Sequence, residues 1–199
     1  MYYPHQIQDL IIEFSKFPGI GPKTAERFVF YLFKKSSRDL EKFSQLIKNL
    51  EQVKICSICG FFSEKEICST CADHQRDHLV ICVVAEPQDL MAIEKTGEYQ
   101  GVYHLLGGLI KVSQGVGPEQ LRIKDLVQRV QESKGKIREI ILALNPDLEG
   151  ETTSLYLVNL LKPYRLKISR LGRGLPMGSD LEYVDEITLS DALKNRKPI

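Results

Sequence analysis

Four cysteines stand in the order Cys56-x-x-Cys59, eight residues, then Cys68-x-x-Cys71, within CSICGFFSEKEICSTC. Two knuckles of this spacing can bring four thiolates to the corners of a tetrahedron, about 2.3 Å from a zinc ion. Gly60 directly follows the first pair, where a tight turn is needed. All four coordination positions would be protein ligands, which leaves none for a substrate and makes the metal structural. The segment is short and polar, so the metal would supply much of its folding free energy. A redox dithiol is the rival chemistry, and two pairs at this spacing argue against it. The fifth cysteine, Cys82, lies in an apolar run and reads as a small core residue.

Acidic residues follow two other apolar runs. Residues 79–84 lead into Ala85-Glu86-Pro87, and residues 137–144 lead into Asn145-Pro146-Asp147-Leu148-Glu149-Gly150-Glu151. Carboxylates beyond strand ends are where an α/β enzyme holds Mg²⁺ for phosphoryl chemistry. Asp147, Glu149 and Glu151 leave a weak Mg²⁺ site open; against the fold that these strand ends resemble, named below, two ligands are missing. Asn145 puts a neutral amide two residues before Asp147, and Ala85 directly follows the first run. Glu86 comes one residue later, and a one-residue shift in extended chain turns a side chain to the opposite face. No nucleophile is assigned beside them, and Tyr156 in the following helix reads as a packing or surface residue. Glu86, Asn145, Asp147, Glu149 and Glu151 are therefore expected to form a docking surface for a partner protein, or a vestigial Mg²⁺ site that no activity requires.

A third constellation is FPGIGPKTAERFVFYL, residues 17–32. Gly19 and Gly21 allow a tight turn between two helices, and Pro22 suits the first turn of the second. Such a turn presents free amides and a helix N-terminus, with Lys23, Thr24 and Arg27 beside them. That is a phosphate site which reads no base sequence. It matches the helix-hairpin-helix DNA-binding motif. GIGPKT is not a P-loop, because Pro22 separates glycine from lysine and no strand precedes it.

The elements that must position these groups fall into two patterns. Residues 7–52 carry helical stripes: Ile7, Leu10, Ile11, Phe14 and Phe17; Ala25, Phe28, Val29 and Leu32; Leu40, Phe43, Leu46, Ile47 and Leu50. From residue 79 strands alternate with helices. Strands are expected at 79–84, 102–106, 137–144 and 166–171, helices at 89–95, 119–131 and 151–161, and glycine-rich loops at 107–117 and 172–178. This alternation implies a mostly parallel sheet with helices packed on it.

Composition narrows the function classes. The chain has 199 residues, is 43% apolar and 27% charged, and has no run near the roughly 18 apolar residues of a membrane span. MYYPHQIQDL has no secretory pattern, so a cytoplasmic protein with reduced thiols is expected. The net charge is +1, but residues 16–35 hold five bases against Glu26, and residues 160–175 hold five bases and no acid. Residues 176–193 hold five acids and no base. Local basic clusters suit a phosphate backbone. The run from Lys162 to Arg173 reads equally as DNA surface or as an edge strand guarded by charge.

The two acidic strand ends with their intervening units resemble the Toprim fold of topoisomerases, bacterial primases and some nucleases. Its active members place a glutamate after the first strand and Asp-x-Asp after a later one. PGIGPKTA, the paired Cys-x-x-Cys, NPDLEGE and RGLPMGSDLEYVDE in this order resemble the bacterial RecR family of recombination mediators over essentially the whole chain. That resemblance implies a multidomain α/β protein. Residues 1–53 would be a helix-hairpin-helix DNA-binding domain, 54–78 the four-cysteine zinc motif, 79–174 the Toprim domain, and 175–199 a Walker B-like assembly segment.

The resemblance also implies a protein that is not an enzyme and requires no Mg²⁺. It would act with RecF and RecO at single-strand gaps, helping to load RecA onto DNA coated by single-strand binding protein. Partners would further include copies of itself, as homodimers or homotetrameric rings whose hairpins face a DNA-sized opening. The alternative is a Mg²⁺-dependent nuclease or primase-like enzyme, against which Asn145 and Ala85 speak.

Overall fold

Pro4, Gly21 and Ser36 each stand at the N-cap of a helix and divide the first fifty residues into three. A computed structural model describes residues 3–196; residues 1–2 and 197–199, the ends of the first and last expected segments, lie outside the described residues. The chain divides into two compact units, one ending at Val53 and one starting at Lys54. In the first, α1 (His5–Ser15) and α2 (Pro22–Phe33) form a hairpin, followed by α3 (Ser37–Lys48) and a 3-10 turn, Asn49–Gln52. Ser36 caps α3 by accepting the N–H of Asp39. α2 buries Ala25 and Val29, and the ring of Phe14 on α1 meets that of Phe28 edge-on at 5.9 Å.

The α3 stripe forms on a helix but is not buried. Leu40, Phe43, Leu46 and Ile47 are all exposed. Three of them, Leu40, Phe43 and Ile47, line an apolar groove of about 660 Å³ together with Leu10, Phe14 and Leu32. Periodicity reports that a face is apolar, not that this chain covers it.

In the second unit a two-stranded antiparallel ribbon, β1 (Lys54–Ile55) and β2 (Phe62–Ser63), and a single turn of helix, α4 (Ser69–Ala72), hold the cysteines. A parallel sheet follows, of β3 (Asp77–Val84), β4 (Gly101–Leu105), β5 (Glu139–Ala143) and β6 (Lys167–Arg170), in the order β4-β3-β5-β6. α5 (Pro87–Glu94) links β3 to β4, α6 (Ile123–Glu132) links β4 to β5, and α7 (Leu148–Leu161) links β5 to β6.

The chain reverses direction across the sheet after β4. Right-handed crossovers therefore put α5 on one face and α6 and α7 on the other. The β3 side chains alternate accordingly: Ile81 and Val83 pack with Leu126 and Val130 of α6 and Leu157 and Leu161 of α7, while Cys82 and Val84 pack with Leu90 of α5. Cys82 is thus a core thiol, and burial pushes its pKa up to about 12.

Three elements differ from the sequence expectation. The helix expected at 119–131 is split into a 3-10 turn, Pro118–Gln120, an extended Leu121 and then α6, because Leu121 turns into the core. α7 begins at Leu148, since Asp147 accepts the N–H of Gly150 and so acts as N-cap. A helix with no sequence expectation, α8 (Glu186–Lys194), is capped by Asp185, which accepts the N–H of Thr188.

His104, on the β4 edge strand, is fully buried. One ring nitrogen, Nε2, bonds the carbonyl of Arg122 at 2.8 Å, and burial is the main cause that lowers its pKa from 6.5 to about 4. A folded pKa below the unfolded one means stability that is complete above about pH 6.5 and lost as pH falls towards about 4. At about 1.4 kcal/mol per pKa unit the full effect is about 3 kcal/mol. With zinc saturating, denaturant titrations at stepped pH should show His104→Gln losing much less stability than the parent between pH 6.5 and 4. Equal losses would contradict this.

Candidate functional site

The hairpin forms as its glycines require. Gly19 has φ +76°, a value side chains strain to adopt, and an added Cβ there would meet nothing within 4 Å, so the constraint is the backbone itself. Gly21 is the N-cap of α2 in extended conformation and offers no side chain to cap it. The N–H groups of Gly19, Gly21 and Lys23 have no acceptor among the described residues, whereas those of Ile20, Thr24 and Ala25 are bonded within the turn. Lys23 and Arg27 lie four residues apart on α2, both exposed, with no carboxylate within 4.0 Å among the described residues. Thr24 is half-buried beside them. Glu26, the acid in this basic stretch, accepts a hydrogen bond from Tyr3. Free amides, a positive helix end and two exposed cations lie together at the turn, an arrangement that binds a phosphate.

The cysteines converge. Sγ atoms of Cys56, Cys59, Cys68 and Cys71 all lie within 4.8 Å of one another, and all four residues are buried. The Cys59 and Cys68 sulfurs are 3.6 Å apart. A tetrahedron with bonds of about 2.3 Å has edges of roughly 3.8 Å, so the cluster is of the right size for zinc. Main-chain N–H groups of Cys68 and Cys71 donate to the sulfurs of Cys56 and Cys68 at 3.3 and 3.4 Å, which favours thiolates.

Four sulfurs this close cannot all ionise unaided. A hydrogen bond from Cys71 holds the pKa of Cys59 down, while burial above all, with the charge of Cys59 adding to it, pushes that of Cys68 up. A divalent cation removes that conflict. Among the described residues no other group of three or more His, Cys, Asp or Glu side chains could hold a metal ion.

The acidic strand ends do not converge in that way. Ala85 is buried and Glu86 is exposed. The Glu86 N–H donates to the Asp89 carboxylate at 2.9 Å, which closes the first turn of α5. A Cβ added to Gly108 would lie 4.0 Å from Oε1 of Glu86, so this carboxylate leans towards the loop after β4, away from β5. Asp147 is spent on capping α7. Glu151 pairs with Arg173, and with Arg170 at 3.6 Å. Asn145 is exposed, and its main-chain carbonyl oxygen stands where a Cβ on Gly150 would have to go, so only glycine lets α7 start this close to the strand end. Glu149 gives its carbonyl to the hydroxyl of buried Thr153, whose oxygen in turn accepts the N–H of Ile110.

Two arrangements lie beyond the sequence reading. The basic run expected as DNA surface or guarded edge contains β6, an edge strand, and Lys167, Arg170 and Arg173 are paired to Glu139 and Glu151. Arg173 also reaches Asp191 of α8 at 4.0 Å. Complementary charge in residues 160–175 and 176–193 is the available signal.

Comparison with known proteins follows the same order along the chain. Residues 7–51 match the RecR helix-hairpin-helix family, 53–73 the RecR four-cysteine zinc finger domain, 80–172 the Toprim domain and 174–197 the RecR C-terminal family. A "Recombination protein RecR" of Tropheryma whipplei (strain Twist) is 48% identical over 198 residues, 99% of each chain. The protein of that name from Moorella thermoacetica is 48% identical over 197 residues, 98% of each. That of Thermobifida fusca is 46% identical over 198 residues, 99% of this chain and 98% of the relative. The chain belongs to the RecR family.

The RecR zinc-finger match and the sulfur geometry agree on zinc, and the four clustered cysteines are the side chains that could hold it. No helix among the described residues is long and apolar enough to cross a membrane. Loss of one thiolate should cost the segment its fold. Cys68→Ser should lower the zinc content measured by atomic emission and drop the melting midpoint by roughly 10 °C, the shift for about 3–4 kcal/mol in a chain of this size. A variant that melts with the parent would show that the metal does not support the fold.

Proposed function

We propose that this RecR-family chain is a non-catalytic mediator of recombinational repair that binds DNA through its hairpin. On this reading it acts with RecF and RecO and helps to load RecA onto gapped DNA coated by single-strand binding protein. The observation that carries it is the α1–α2 turn, where three unbonded main-chain amides stand beside exposed Lys23 and Arg27. These groups address a phosphate and no base, so binding is independent of sequence and falls steeply with salt. Gly19 and Gly21 shape the turn, and Thr24 lines it.

Residues 1–53 would then bind DNA, 54–78 form the zinc module, 79–174 the Toprim domain and 175–199 the assembly segment. The acids at the strand ends act in this reading as a docking surface for RecO or RecF. Its support is that Asp147 caps a helix, Glu151 is ion-paired and Glu86 turns away, which leaves no convergent carboxylates among the described residues to hold Mg²⁺. The double change Lys23→Ala/Arg27→Ala should weaken retention of gapped DNA at least roughly tenfold at about 0.15 M salt and lower the salt slope by about two. Undiminished binding would sink the hairpin assignment. Mg²⁺-dependent cleavage or synthesis by the pure chain, abolished by Asp147→Ala, would replace this reading with a nuclease or primase-like one.

Self-assembly into dimers or tetrameric rings completes the proposal, because several copies of a weak phosphate contact raise avidity by about 10²–10⁴. The exposed α3 stripe supports it: Leu40, Phe43, Leu46 and Ile47 form an apolar face of the kind that subunit interfaces cover. Phe43→Glu/Ile47→Glu should shift the mass in light scattering towards the monomer while leaving zinc bound. An unchanged mass would place the interface elsewhere.

A further inference from the structure

β4 is an edge strand, and its outer side is met by the metal module. The N–H of Leu105 donates to the carbonyl of Cys59 at 2.7 Å. The carbonyl of Tyr103, which points the same way along the edge, accepts from Nη1 of Arg129 at 2.8 Å. A zinc-ligand residue and Arg129 thus occupy adjacent hydrogen-bonding positions on one strand edge. Seven residues earlier, at the N-cap of the same helix, Arg122 lies against the next knuckle position: its Nη1 fills the space that a Cβ on Gly60 would need. That Nη1 is buried and has no acceptor among the described residues.

Arg129 has a charge to account for. Its side chain is partly buried, and no carboxylate of the described residues lies within 4.0 Å of it, although Arg122 has Asp125 at 2.7 Å. Desolvation lowers its pKa, and the groups that oppose this are first of all the sulfurs of Cys71, Cys59 and Cys56. A buried cation needs a counter-charge. A zinc ion with four thiolates carries two net negative charges, and it too is desolvated here.

We propose that Arg129, seconded by Arg122, is the counter-charge of the four-cysteine metal centre and couples zinc binding to β4 and α6. With zinc in place both charges are compensated. Without the metal the four sulfurs cannot all stay ionised, so the buried charge of Arg129 faces a weaker counter-charge, and metal loss loosens the strand edge as well as the knuckles. Both arginines are positioning residues for the metal, since each acts on the thiolates and neither is a ligand.

The test separates charge from hydrogen bonding. Arg129→Gln keeps a donor for the Tyr103 carbonyl and loses the charge, while Arg129→Lys keeps the charge. In competition with a colorimetric chelator, the Gln variant of the full chain should hold zinc roughly 10–100-fold more weakly, the range for residues that support metal ligands. The Lys variant should stay within a few-fold of the parent, as should Arg138→Gln, which removes an exposed arginine paired to Asp77. Equal weakening in the Gln and Lys variants, or none in either, overturns the proposal. A measurement on the unaltered protein stands beside this, in case Arg129→Gln does not fold. Stripping zinc should speed hydrogen exchange of the Leu105 amide and of α6, and unchanged exchange there overturns the coupling.

Discussion

An open β-sheet edge must be covered, and one hydrogen bond decides how this chain does it. The amide of Leu105 on β4 is met by the carbonyl of Cys59, so the metal module is built onto the sheet and is more than an appendage beside it. Strand edges left bare pair with other chains. At the opposite edge, β6 solves the same problem with charge, its Lys167 and Arg170 held by Glu139 and Glu151. The order β4-β3-β5-β6 has two edges, and each is closed by a different kind of chemistry. Arg129 bonds the same β4 edge.

The reversal of chain direction across the sheet then places the acids. β3 lies between β4 and β5, so the crevice at the carboxyl ends opens between β3 and β5. Glu86 stands at one lip and Asp147 at the other. The Asp147 carboxylate starts α7, Asp89 closes the first turn of α5 by accepting the N–H of Glu86, and Glu151 holds local cations. The result keeps the frame of a phosphoryl-transfer fold while its carboxylates serve helix starts and ion pairs. The close fit of Gly150 under the carbonyl of Asn145 sets α7 directly against the end of β5.

What the sequence discloses depends on the range of the interaction. The cysteine pairs, the Gly19–Gly21 turn and the long strands are signals carried by neighbours, and the structure has all of them. α8 escapes the reading although Asp185 followed by an apolar repeat is a start signal, because the acidic run around it reads as charge patterning. The split before α6 is not readable, since Leu121 leaves the helix to fill a core assembled from several other elements. Partners separated in sequence are also invisible: nothing in the sequence links Arg129 to Cys59 until β4 brings both to one strand edge. The exposed face of α3 marks a further limit, because an apolar stripe does not say which chain will cover it.

Arg173 stands between two carboxylates, Glu151 of α7 and Asp191 of α8. Through this guanidinium the terminal helix is tied to the sheet domain, and none of the α8 residues is buried. Apolar burial is nearly indifferent to dilute salt, but a partly exposed ion pair is not. The two parts of this unit therefore answer to different variables. Temperature governs the sheet, whereas ionic strength governs whether the last helix stays beside it.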